Sequence, residues 1–316
     1  MANSTIGVLL MAYGAAGSLE EVAPYLADIR AGRPPSPDLV EEVKHRYRLM
    51  GGVSPLLEIT RQQAAALETH LNPGEARALP WQFKVYIGMR HWHPYIKDTV
   101  AIMAKEGIRK IVAICLTPYY SRLSVGAYFK KLEEAQLAID TLRLRRMEVI
   151  RVESWNDHPL LIKAIAEKVQ KTLDGFDAMV RKDVPILFSA HSLPSRILEE
   201  KDPYPQELNE TIEAVMKRVG PNRWWFAYQS QGRTPEPWLG PEAGEVIHQL
   251  YQEGHRHMVM APIGFISDHM ETLYDVDILY RKQAESMGMR LERAESLNAT
   301  PTFIEALADI VRETLR

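Results

Sequence analysis

Four short apolar runs, each closing on small, polar or proline residues, limit most sharply what this chain can fold into. They are Gly7–Gly14, Ile111–Pro118, Ile186–Pro194 and Met258–Gly264. Each has the length of a strand and is apolar almost throughout, the pattern of a strand covered on both faces. Further strands are predicted at Phe83–Gly88, Glu148–Val152 and Trp224–Tyr228. Helical patterns fill the intervals: Pro37–Leu49, Ile59–Leu71, Pro94–Glu106, Ala127–Ile139, Pro159–Leu173, Gln206–Val219, Ala243–Glu253 and Thr302–Leu315. Strands alternating with such helices argue for βαβ units, because a parallel connection needs a crossover and the helix supplies it. The fold class expected is α/β, with parallel sheets flanked by helices.

The order repeats loosely. In each half a strand with a polar residue at its end opens the pattern, Tyr13 in one and His191 in the other, and a later strand runs into proline, Pro118 and then Pro262. A chain of 316 residues has room for about two domains. The expected division is an N-terminal α/β domain over 1–153, a C-terminal α/β domain over 154–300, and a helix over 301–316 that packs back on the first. Two similar halves of this kind predict a cleft between them, a plan like that of periplasmic binding proteins. Arg30–Pro37 and Gln229–Pro241 are too rich in turn residues to be regular, and Trp238 in the second is expected to pack on something.

Charge and cysteine content exclude several classes. A net charge of −3 with no basic run favours neither nucleic acid nor an anionic membrane, and the apolar run at the N-terminus is too short to span a bilayer. The one cysteine, Cys115, excludes an internal disulfide and a cysteine-held iron–sulfur cluster, and its apolar setting reads as a buried thiol. A cytoplasmic protein is the simplest expectation.

His191 stands just behind the strand Ile186–Phe188, in Ser189-Ala-His-Ser-Leu-Pro194, at the strand end where open parallel sheets bind ligands. There an imidazole can accept a proton or hold a metal, though a lone histidine in such a place is more often a hydrogen-bonded structural residue. Asp268, Glu271 and Asp275 fall at i, i+3 and i+7; were 268–281 helical, they would share one face. The stripe begins past Gly264-Phe265 with His269 and Tyr274 interleaved, and oxygen ligands with imidazole suit a divalent first-row metal such as Fe(II). Otherwise it is a solvated acidic face. His91-Trp-His93 lacks a third ligand, and no dinucleotide, Walker or nucleophile-elbow motif occurs. Arg30, Arg33, Lys44, Arg46 and Arg48 bracket the first Pro-rich loop; they either pair with ligand carboxylates or are ordinary surface charge.

Taken together, Ala12-Tyr13-Gly14, Arg46-Tyr47 with Gly51-Gly-Val-Ser-Pro-Leu56, Tyr86–His91, Ser189–Pro194, Asp202-Pro-Tyr204, Trp238–Pro241 and Pro262–Asp275 resemble the ferrochelatase family. The likeness runs in order along nearly the whole chain. It is strongest to the short enzymes of Gram-positive bacteria that insert iron into coproporphyrin III. The resemblance implies a porphyrin cleft between the domains, with His191 and Glu271 as catalytic and metal-handling residues and Tyr13 facing the metal. It implies substrate binding by Tyr13, Arg30, Arg46, Tyr47, Ser54 and Tyr128, and metal delivery through Asp268 and Asp275. Fe(II) would be a substrate, with no tightly bound cofactor and no iron–sulfur cluster. Expected partners are porphyrin and ferrous iron, with transient contact to neighbouring haem-pathway enzymes, no nucleic acid, no membrane span and a monomeric state. Two positions depart from the pattern: Arg90 replaces a lysine, and Leu279 stands where some relatives extend the acidic stripe, which would shorten an outer metal site. Protoporphyrin IX as substrate, a cobalt or nickel tetrapyrrole chelatase, and a non-catalytic haem carrier are the alternatives.

Overall fold

The computed structural model describes residues 4–74, 81–141 and 144–316. The chain divides into two units: residues up to Trp155 together with Asn298–Arg316, and Asn156–Leu297. In the first unit β1 (Ser4–Ala12) leads to α1 (Val22–Ile29), α2 (Pro37–Leu49) and α3 (Leu56–Leu71). Then follow β2 (Trp81–Met89), α4 (Ile96–Lys105), β3 (Lys110–Cys115), α5 (Val125–Thr141) and β4 (Glu148–Val152). The strands pair in parallel in the order β2-β1-β3-β4. Leu9 and Met11 of β1 and Ile111, Ala113 and Cys115 of β3 face Val100 and Met103 of α4 and Phe129 and Leu132 of α5, all buried. With α3 packed against β1 and β2, the central strand is covered on both faces, which is why β1 reads as a continuous apolar run. Desolvation at Cys115 pushes its thiol pKa up, as for an inert core residue.

The second unit contains α6 (Pro159–Leu173), β5 (Ile186–His191), α7 (Tyr204–Val219), β6 (Trp224–Gln229), α8 (Ala243–Gln252) and β7 (His257–Ala261). It ends with α9 (Met270–Leu273), a π-helical segment (Asp275–Tyr280), α10 (Arg281–Ser286) and β8 (Arg290–Arg293). Its sheet, again parallel, has the order β6-β5-β7-β8, the same winding as the first. Leu187, Met258 and Met260 pack there with Val246, Ile247 and Leu250 of α8 and with Val276 and Tyr280. Helix starts follow the sequence: Ser36 accepts the Leu39 N–H ahead of α2, and Glu242 and Glu245 close a capping box on α8.

The chain then returns to the first unit in α11 (Pro301–Glu313), whose Phe303, Ile304, Leu307, Ile310 and Val311 are buried. Each such side chain contributes about 1.5–3 kcal/mol by leaving water. Arg312 donates to the His70 carbonyl at 2.9 Å and Gln63 to that of Asn298 at 2.9 Å, tying this helix segment to α3. Among the described residues no helix is long and apolar enough to cross a membrane.

The stretch 268–281, which would place three carboxylates on one face if it were a single α-helix, is not one. His269 is the N-cap of α9, so Asp268 lies outside it, and the backbone from Asp275 winds as π-helix. The three carboxylates therefore do not form one stripe. The elements α1, α10 and β8 have no counterpart in the sequence prediction. In β8 three of four residues are charged and only Leu291 is buried, so nothing resembles an apolar run.

Candidate functional site

In both sheets the chain steps from the second strand in order to one side and then crosses to the other. The loops after β5 and β7 consequently diverge over the gap between those strands, the place where an α/β sheet of this winding opens to a ligand. His191 closes β5, and the segment after β7 brings Gly264, Phe265, His269 and Glu271 to the same end. Gly264 makes the approach possible. A Cβ there would lie 2.7 Å from Ala190 Cα, and its N–H reaches the Ser189 carbonyl at 3.1 Å.

The result is a carboxylate between two imidazoles. Glu271 Oε1 lies 3.7 Å from His191 Nε2, and its Oε2 lies 3.7 Å from His269 Nε2; all three side chains are partly exposed. These are charge contacts, too long for direct hydrogen bonds. His191 Nδ1 donates to the Ser192 carbonyl and His269 Nδ1 to that of Ser267, at 3.0 Å in the second case. Both rings therefore carry the proton on Nδ1 when neutral, which turns a basic Nε2 toward Glu271. Burial opposes charge on His269, yet the neighbouring Glu271 outweighs it and holds the pKa above the ordinary histidine value. Tyr204 donates to the His191 carbonyl at 2.9 Å, and the Phe265 ring packs 4.8 Å from that of His269.

The strand beside β5 supplies the support. Gln229, in register with His191 and buried, accepts from Ser189 Oγ at 2.7 Å and donates to the Glu271 carbonyl at 2.9 Å. Ser230, with φ of 58°, donates its hydroxyl to Asp275 Oδ2 at 2.5 Å. Asp268 accepts from Ser296 at 2.7 Å and pairs with Arg293 at 2.9 Å. The loop after β6 folds over the segment after His191: Ser192 Oγ donates to the Leu239 carbonyl at 2.8 Å, and Trp238 lies against Gly232. Sequence reasoning does not single out Gln229 or Arg293. The signal for Gln229 is positional, the last residue of a strand paired in parallel beside His191.

The first unit holds the other candidate residues. Tyr13 follows β1 and is 41% exposed, with its ring 4.7 Å from that of His91. The Arg90 guanidinium sits 5.9 Å from the Tyr13 ring and 5.5 Å from the Tyr128 ring. His91 is turned to Asp28 at 2.9 Å, and burial lowers its pKa despite that partner. Arg30 is exposed, and half-buried Arg46 pairs with Glu42 at 2.7 Å. Tyr47, Ser54 and Tyr128 are buried. The Tyr47 hydroxyl accepts the Ala16 N–H at 3.2 Å, and burial pushes its pKa up to about 12. Ser54 Oγ accepts the Leu56 N–H at 3.4 Å.

The fold of two parallel α/β sheets is shared with solved chelatases. The sirohydrochlorin chelatase SirB of Bacillus subtilis subspecies spizizenii, solved in complex with cobalt, matches with a TM-score of 0.56 over 98% of this chain and 95% of that one, at 11% identity. Sequence resolves the class further. The model of the ferrochelatase family matches residues 5–315. The ferrochelatase of Herpetosiphon aurantiacus is 39% identical over 98% of this chain and 99% of its own length. The coproporphyrin III ferrochelatase of Bacillus subtilis is 38% identical over 100% and 99%. The chain belongs to the ferrochelatase family.

Proposed function

We propose that this protein inserts Fe(II) into coproporphyrin III to give coproheme in haem biosynthesis. The observation that carries the reading is the pair at the end of the second sheet, His191 Nε2 turned toward Glu271 Oε1 at 3.7 Å. The identity to coproporphyrin III ferrochelatase over the full chain supports the choice of substrate.

The chemistry asks for what this pair offers. Four macrocycle nitrogens bind the iron, two of them by shedding a proton each, and iron stays in the +2 state, so no electron donor or acceptor is needed. His191, its Nδ1–H held by the Ser192 carbonyl, accepts the two macrocycle protons in turn at Nε2 and passes each on to solvent. Glu271 stabilises the resulting imidazolium and offers an oxygen to the incoming metal. A bent macrocycle exposes its nitrogen lone pairs, at a strain of roughly 1–5 kcal/mol drawn from contacts at its rim. On the first unit, Tyr13 serves as a metal-facing phenol, and Arg30 and Arg46 pair with propionate carboxylates. Tyr47, Ser54 and Tyr128 belong to the same substrate-binding set, and Asp275 takes part in metal delivery on the second unit. In this reading the protein is a cytoplasmic monomer without a resident iron–sulfur cluster, to which its lone cysteine, buried in the first core, contributes support.

The experiment is anaerobic Fe(II) insertion, with coproporphyrin III and protoporphyrin IX compared as substrates by loss of free-base fluorescence. Faster metallation of coproporphyrin III is expected. Preference for protoporphyrin IX would replace the substrate, and turnover with neither would overturn the activity.

A further inference from the structure

We infer that Arg293 is a positioning residue for Glu271, holding the chain on both sides of that carboxylate; the inference rests on the metal-insertion reading above. Arg293 ends β8 and reaches back across the second unit. Its Nη1 lies 2.9 Å from Asp268 Oδ1, three residues before Glu271. Its Nε and Nη2 lie 2.9 Å from Asp277 Oδ1 and Oδ2, six residues after it. The second contact is the two-pronged geometry in which guanidinium and carboxylate fit best. Ser296 adds its hydroxyl to Asp268 at 2.7 Å, and Arg281 approaches Asp277 at 3.4 Å.

Three physical points favour positioning over simple stabilisation. First, the Arg293 side chain is only 10% exposed. Removing a guanidinium and two carboxylates from water consumes most of what their attraction returns, so such a triad is a poor source of stability. It does fix where two points of the chain must lie. Second, those points bracket an irregular stretch of backbone. Glu271 sits on a four-residue helix that gives way after Tyr274 to π-helix, a change of winding that regular helical hydrogen bonding alone does not fix in place. Third, the ties complement that of Gln229, which grips the Glu271 carbonyl from β6. Glu271 is thereby referenced to both outer strands of its sheet. In this arrangement Asp268 is a tether, its Oδ1 already shared by Arg293 and Ser296.

The test uses the full-length chain with Zn(II) and coproporphyrin III, each varied in turn, together with porphyrin affinity from fluorescence quenching and a Tm. In Arg293→Met, kcat/KM for the metal falls about ten- to a hundredfold, the range typical when a partner that orients a metal ligand is removed. Porphyrin Kd stays within about twofold, since that affinity is assigned elsewhere. Arg293→Lys recovers part of the loss, because one ammonium can hold one carboxylate but not both. Asp277→Asn, which leaves Arg293 and Asp268 paired, gives a smaller loss of the same kind and carries the test should Arg293→Met fail to fold. Arg290→Met, on the exposed side of the same strand, leaves all constants unchanged. Metal kcat/KM at the wild-type value in folded Arg293→Met or in Asp277→Asn would overturn the inference while leaving the activity standing. A parallel fall in porphyrin affinity would do the same by revealing general disruption. A wild-type protein that inserts no metal would sink the activity itself.

Discussion

The two units wind four parallel strands in the same order but furnish the equivalent corner with opposite chemistry. After β1 the chain presents Tyr13, backed by Arg90 and by His91, the two residues that follow β2. At the end of β5 it presents His191 beside Glu271, whose backbone carbonyl is held by Gln229 at the end of β6, while Ser230 grips the Asp275 carboxylate. One corner is a phenol in a cationic and aromatic setting; the other is an imidazole in an acidic one. The comparison separates two contributions. Winding decides where a reactive side chain can stand, and the loop residues decide what it can do there.

The largest effect tests that division directly. His191→Ala should lower metal insertion about a hundred- to ten-thousandfold, the span of a lost general base, with porphyrin affinity retained. Activity within tenfold of wild type in steady-state assays would remove the acidic corner from the chemistry. Next come the glycines that let each corner form. Gly264→Ala places a methyl group against Ala190 and should cost about 1–3 kcal/mol in denaturant titrations, with loss of activity in the same variant. Gly14→Ala should also destabilise, for a different reason: Gly14 has φ of 96°, and a Cβ would lie 2.9 Å from the Trp92 nitrogen. Arg90→Met removes the cation above two rings in the first unit. Its expected cost is about 0.5–1 kcal/mol, read as a lowered Tm.

The smallest effect is electrostatic. Lys168 and then Lys171 hold the Glu295 carboxyl down to about 2. Because the folded value lies below the unfolded one, the pair contributes stability above about pH 4.3, and that contribution disappears as pH falls toward about 2. Glu295 is half exposed, so Glu295→Gln should cost well under about 1 kcal/mol at neutral pH. Tm curves of the two proteins should converge in acid; a constant gap down to pH 2 would show that the charge is irrelevant.

Much of this was legible in the chain because the central strands are buried on both faces and so advertise themselves. Ile111–Cys115 and Ile186–Ala190 are apolar without interruption or nearly so, and the end of the second locates His191. The 268–281 stretch departs from a single helix for an equally physical reason. Its spacing obeys helical periodicity, yet Asp268 is claimed by Arg293 and Ser296, residues far along the chain, and no local pattern encodes that contact. Gln229 escaped because a polar residue closing a strand looks like ordinary loop chemistry until the neighbouring strand is known. β8 escaped because its pairing runs through the backbone to β7 while its side chains are charged. The family resemblance supplied roles that spacing alone left open, above all the pairing of His191 with Glu271.

The composition of β8 has a consequence for the protein in a crowded solution. It forms one edge of its sheet, where unpaired N–H and C=O groups could recruit a strand from another chain. Four residues are too few to template a long pairing, and the charged side chains of Arg290 and Glu292 would have to be stripped of water by a strand laid alongside. The strand that reaches inward with one arginine thus guards the molecule's outer margin against aggregation.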